Sequence, residues 1–178
     1  MINSFSAHPK AQNNNAKIAM GVFFALGAIC FGVTFFIELY RGVVGLVALA
    51  LVTTAILMYT KYVSVDFYYD ILADGEDSPL FVVRQRVGKR DVTLCRIDLA
   101  DIISVSRETA KERKAHKREK TTPLYVYGPT LFPETSYRIT VHNRIGKSEI
   151  ILEGTDEFFA KITEYSKEAK EKRSDDEE

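Results

Sequence analysis

Ile18-Ala-Met-Gly-Val-Phe-Phe-Ala-Leu-Gly-Ala-Ile-Cys-Phe-Gly-Val-Thr-Phe-Phe-Ile37 runs for 20 residues without an Asp, Glu, Lys or Arg. Wound as a helix, that length covers roughly 30 Å, the thickness of the hydrocarbon core of a bilayer. A second uncharged run, Val43 to Thr60, covers 18 residues and contains no proline. Only Glu38-Leu-Tyr-Arg-Gly42 separates the two, so the helices are expected to lie antiparallel as a hairpin. A buried helix of a soluble bundle would show a polar stripe at helical spacing, and neither run does. The first run is also long for the apolar part of a signal peptide, lacks a small-x-small cleavage site and leads at once into a second span. A transmembrane hairpin over residues 17–61 is therefore expected, with spans about 18–37 and 43–60.

Outward from the hairpin, Lys10 and Lys17 precede the first span, Lys61 follows the second, and the connecting loop holds only Arg41. By the bias of basic residues toward the cytoplasm, both termini are expected there, in a multi-pass protein of the cell membrane. Tyr40, Tyr59 and Tyr62 suit the interfaces. Gly21 with Ala25, and Ala28 with Gly32, are small residues four apart, faces on which a homo-oligomer could pack or which simply reflect common membrane residues. Because the spans contain no ionisable residue, transport by this chain alone is not expected.

The whole chain has 178 residues, 24 basic and 24 acidic, which suits one ordinary domain plus an appendage. Residues 1–16 read as a disordered arm. From residue 62 the pattern turns to alternation: Val63, Val65, Phe67, Tyr69 and Ile71 share one face of a strand that ends at the turn Asp74-Gly75. Further strands are expected at Leu80–Val87, Asp91–Ile97, Ile102–Ser106, Leu124–Tyr127, Ser136–His142 and Ser148–Glu153, the first three of these continuing the strand from residue 63 as a meander. Thr155 then caps an amphipathic helix over 155–172, with Phe158, Phe159, Ile162, Tyr165 and Ala169 on one stripe. The acidic tail 173–178 reads as disordered.

Tyr62-Val-Ser-Val-Asp-Phe after two spans, the strand Leu99-Ala-Asp-Ile-Ile-Ser-Val, and the helix start Gly154-Thr-Asp-Glu-Phe-Phe together resemble bacterial membrane-anchored proteins with a pleckstrin-homology-like domain. That resemblance implies an α+β membrane protein: the two-helix hairpin, then a seven-stranded antiparallel β-barrel or sandwich over 62–172, capped by the C-terminal helix. It implies no activity, since domains of that fold bind lipid head groups in some cases and proteins in others.

Catalytic signatures are missing from the sequence. His8, His116 and His142 stand far apart without ligand spacing, and no P-loop, GxSxG or GxGxxG occurs, so no cofactor, metal or enzymatic activity is expected. Cys30 and Cys95 form no disulfide framework. The acidic residues Asp66, Asp70, Asp74, Glu76 and Asp77 lack EF-hand spacing and read as a solvated strand edge and turn.

Residues 84–120 hold twelve Lys or Arg against six Asp or Glu. Tethered to a bilayer, Arg113, Lys114, Lys117 and Arg118 are candidate contacts for anionic lipid head groups, against the alternative of a solvated loop. Nucleic acid is not an expected partner, because no stacking aromatics interleave these charges. Leu131 and Phe132, between prolines, are a candidate surface for a partner, for example another membrane protein. The function expected is that of a non-enzymatic membrane-anchored binding or scaffold module, or an accessory subunit of a membrane complex.

Overall fold

The computed structural model describes residues 5–72, 79–116, 122–143 and 146–176 and divides into two compact units, one of residues 13–65 and one of residues 1–12 with 66–178. In the first unit, α1 (Asn15–Val33) and α2 (Arg41–Met58) pack together, and α2 continues through a π-helical turn, Tyr59–Val63. Both are long and apolar enough to cross a membrane, with mean hydropathies of 2.0 and 2.2. Only Ala16 and Gly27 of α1, and Ala48 and Ala55 of α2, are buried. Phe24, Phe31, Leu46, Leu49 and Leu57 are each more than half exposed. A soluble core helix would bury such side chains, each contributing about 1.5–3 kcal/mol.

The first helix ends four residues before the expected Ile37. Thr34 closes it by donating its hydroxyl proton to Phe31 O at 2.6 Å, so the connection is 34–40. The close approach of the helices is at Gly27. A Cβ on Gly27 would lie 2.8 Å from Val52 Cγ2, whereas one on Gly21 or Gly32 would meet nothing within 4 Å. The face formed by Gly21, Ala25 and Ala28 is exposed and is not what joins α1 to α2.

The second unit holds two four-stranded sheets. The first runs β1 (Phe5–Ala7), β2 (Val65–Leu72), β3 (Leu80–Val87), β4 (Arg90–Asp98) in that order. In the second the order is β5 (Ile102–Thr109), β7 (Thr135–Asn143), β8 (Gly146–Leu152), β6 (Leu124–Tyr127). Alternation placed the core faces correctly: Val65, Phe67, Tyr69 and Ile71 of β2 and Tyr137, Ile139 and Val141 of β7 are all buried.

Four expectations for the second unit are corrected. The arm is ordered from residue 5: β1 pairs antiparallel with β2, Phe5 opposite Ile71 and Ala7 opposite Tyr69. Phe5 supplies the reason, stacking on Phe158 with ring centroids 5.7 Å apart under the Lys161 ammonium. The strands among the described residues number eight, and the second sheet is mixed, because β6 pairs parallel with β8, Tyr125 opposite Ile150. The meander stops at β4, and a single turn of 3-10 helix, Leu99–Asp101, carries the chain across to β5 in the other sheet.

The fourth concerns the C-terminal helix, α4 (Asp156–Asp176), which extends past the expected end at residue 172. Its start is as read, with Phe158 N donating to Thr155 Oγ1 at 3.4 Å. Its end is held by Arg173, which pairs with Asp98 at 2.8 Å and Asp101 at 2.9 Å. The side chains of Phe158, Phe159, Ile162 and Ala169 are buried, and Phe158 joins Tyr69 and Phe81 in one aromatic cluster.

Candidate functional site

The basic insert begins as a short helix, α3 (Ala110–Ala115), because Thr109 and Glu112 form a reciprocal capping box. Arg113, expected to face lipid, instead donates to Ser136 Oγ and Pro133 O, both at 2.9 Å, and fastens the insert to the second sheet. Lys114 is exposed, while Lys117 and Arg118 lie outside the described residues. The lipid expectation therefore loses Arg113, whose guanidinium is committed inside the fold.

Beneath this insert lies a buried ionic cluster that sequence reading did not find. Arg138 of β7 reaches Glu108 of β5 through Nε at 2.6 Å and Nη2 at 2.8 Å, and reaches Glu149 of β8 through Nη1. His116, at the end of α3, lies 3.7 Å from Glu108 and 3.5 Å from Glu149. A charged residue alternating with Tyr137 and Ile139 looks solvent-facing in the sequence; in the fold it is buried between Glu108 and Glu149, with His116 near both carboxylates.

Leu131 and Phe132 sit on a tightly held loop. Glu153 is buried and accepts from Thr130 N at 2.9 Å and from the Thr130 hydroxyl. Gln12 fixes the same loop from the arm: its backbone N–H donates to Thr130 Oγ1 at 2.9 Å, its side-chain amide donates to Thr135 O at 2.7 Å, and its carbonyl accepts from Glu134 N at 2.9 Å. Leu131 is half-buried, whereas Phe132 is 67% exposed. Gly128 permits the arrangement, since a Cβ there would overlap Glu153 Oε1.

Burial pushes the Glu153 carboxyl above its usual range, against the opposing pull of the Thr130 bonds and the Arg113 charge. The neutral form is thus favoured by folding, and Glu153 contributes most below the unfolded carboxyl value of about 4.3. That contribution is lost as the pH rises through the higher folded value. Glu153→Gln keeps the shape and an acceptor for Thr130 but cannot titrate. In urea unfolding of the full chain in micelles, the stability of Glu153→Gln relative to the parent is expected to increase between about pH 4 and pH 8. A pH-independent difference would refute the account.

The remaining feature is a cleft of about 400 Å³ between the sheets, walled by Leu94, Cys95 and Arg96 of β4, Tyr125 and Tyr127 of β6, and Val141, His142 and Ile150. Tyr125 and Tyr127 lie on one face of β6 and stack at 6.2 Å with planes 11° apart. Burial pushes the Cys95 thiol and the Tyr127 hydroxyl upward, so both stay protonated near neutral pH. Arg96 makes no ion pair among the described residues, while Asp98 and Asp101 at the rim are engaged by Arg173.

Each wall of the cleft ends in a sheet edge: β4 pairs only with β3, and β6 only with β8, among the described residues. On β6, Tyr125 is 46% and Val126 60% exposed. Unpaired strand edges present rows of amide and carbonyl groups that another extended chain can satisfy. Such a cleft can hold a strand by main-chain hydrogen bonds and grip its side chains against the tyrosines. The sequence signal was the alternation in Tyr125-Val-Tyr127, but only the sheet order reveals that these rings line a gap.

No family model, curated protein or solved structure matches this chain. Function must therefore be argued from the residues themselves.

Proposed function

We propose that the chain is a non-enzymatic, membrane-anchored binding module, with the hairpin in the cell membrane and the pleckstrin-homology-like β domain in the cytoplasm receiving an extended segment of a partner protein in the β4–β6 cleft. The observation that carries the reading is that cleft, bounded on both sides by unpaired strand edges and walled by stacked tyrosines.

Chain topology supports the anchoring. β1 precedes α1 and β2 follows α2, yet the two strands pair, so a chain crossing a bilayer between them must cross an even number of times. Lys10, Lys17 and Lys61 outside the spans, against Arg41 alone between them, support a cytoplasmic domain. An accessory subunit of a membrane complex would present its domain in this way.

The test is site-specific photocrosslinking in native membranes. A photoreactive residue at Tyr125 is expected to give a discrete adduct with a membrane-associated protein. A second change, Val126→Pro, should abolish the adduct by removing an edge donor. Probes at Lys114 and Phe132 distinguish the alternatives: crosslinking to lipid from 114 alone favours head-group contact, and a protein adduct from 132 alone moves the partner surface to that loop. Either outcome without an adduct at 125 refutes the cleft.

A further inference from the structure

A recess of about 700 Å³ opens beside the Gly27–Val52 contact, lined by Phe24, Ala28 and Phe31 of α1, by Gly45 and Leu49 of α2, and by Arg41. The lining is otherwise almost wholly apolar. Gly45 forms part of the open floor, since a Cβ there would meet nothing within 4 Å.

Charge sets the chemistry of the occupant. Arg41 is the only Lys or Arg between residues 18 and 60, and its side chain makes no ion pair among the described residues. Glu38, the nearest acid in the sequence, does not line the recess. Arg41 also opens α2, whose first turn has no side-chain cap and no acidic residue. The positive end of the helix and the guanidinium thus lie at the same point, where an apolar groove meets the connecting loop.

We infer that this groove is a binding site for an anionic glycerophospholipid, one acyl chain lying along the recess and the phosphate held by Arg41 and the amides of the first turn of α2. An apolar tail and an anionic head match the two halves of the site, since a guanidinium pairs with phosphate through charge-assisted hydrogen bonds. A helix from a second copy would fill the apolar part but leave the cation without a counter-charge. The inference rests on the hairpin spanning the membrane and is independent of the β4–β6 cleft.

The full chain is purified in mild detergent and titrated with phosphatidylglycerol or phosphatidylcholine, and bound lipid is counted by native mass spectrometry. Phosphatidylglycerol is expected to be retained about fivefold over phosphatidylcholine, the factor that one exposed ion pair supplies at its upper end. Arg41→Ala should erase that preference, and Gly45→Phe, which places a ring where a Cβ meets nothing within 4 Å, should lower retention of both lipids. Equal retention of the two lipids by the parent chain, or a preference unchanged in Arg41→Ala, overturns the site. Loss of a dimer in Gly45→Phe with lipid retention unchanged also overturns it, in favour of a second copy. Extraction of native membranes at alkaline pH is the separate check on the span: release into the supernatant refutes the anchor, whereas retention without a lipid preference refutes only the lipid site.

Discussion

Arg138→Ala is expected to lower the unfolding free energy of the β domain by about 3–5 kcal/mol, the usual consequence of removing one member of a buried ionic cluster. The guanidinium is 6% exposed and its partners Glu108 and Glu149 are 10% and 12% exposed, so little water is available to replace it. Two carboxylates, one from each strand beside β7, would be left without their shared cation. A domain with a typical stability of about 5–15 kcal/mol would lose a large part of it. Urea unfolding of the full chain in micelles measures the loss. The triple variant Arg138→Met, Glu108→Gln, Glu149→Gln should recover most of it, because no charge is then left buried without a partner. A loss under about 1 kcal/mol for Arg138→Ala would mean that the cluster behaves as a surface ion pair.

Phe158→Ala should cost a similar amount, about 3–5 kcal/mol, for a different reason. The ring is 1% exposed and is surrounded by Tyr69, Phe81, Phe159 and Phe5, at centroid distances of 6.1, 6.3, 5.5 and 5.7 Å. Truncation opens a cavity where both sheets meet α4, and it also removes the surface on which Phe5 stacks. Limited proteolysis should therefore cut the N-terminal arm faster in Phe158→Ala than in the parent chain. An arm that remains resistant would show that β1 is held by its pairing with β2 and by Gln12 alone. Phe158→Leu, which retains most of the volume, should cost about half as much or less.

The two predictions differ in how far they could be foreseen. Phe158 lay on a stripe with Phe159, Ile162 and Ala169, and helical periodicity alone assigned it to the core. Arg138 lay on the face of β7 opposite its buried residues, where a charge normally meets solvent. It is buried between carboxylates of the two flanking strands, and residues 110–116 nearby are fixed by a capping box and by Arg113 reaching Pro133 and Ser136. Contacts across 20 or more residues leave no periodic trace. The same limit applies to the candidate contacts: Arg113 read as one of a row of cations, and only the tertiary structure gives it a fixed partner.

By itself the sequence determined the two apolar helices, the inward faces of β2 and β7, and the amphipathic helix with its Thr155 start. These features follow from local physics, namely segment length against bilayer thickness, and periods of 2 and 3.6 residues against a core. Only the tertiary structure decided that residues 5–7 belong to the sheet after the hairpin, that β6 joins β8 in parallel, and that the two sheets remain open between β4 and β6. Strand order is set by which edges finally bury side chains and satisfy backbone groups together, and that balance is made between segments far apart in the chain.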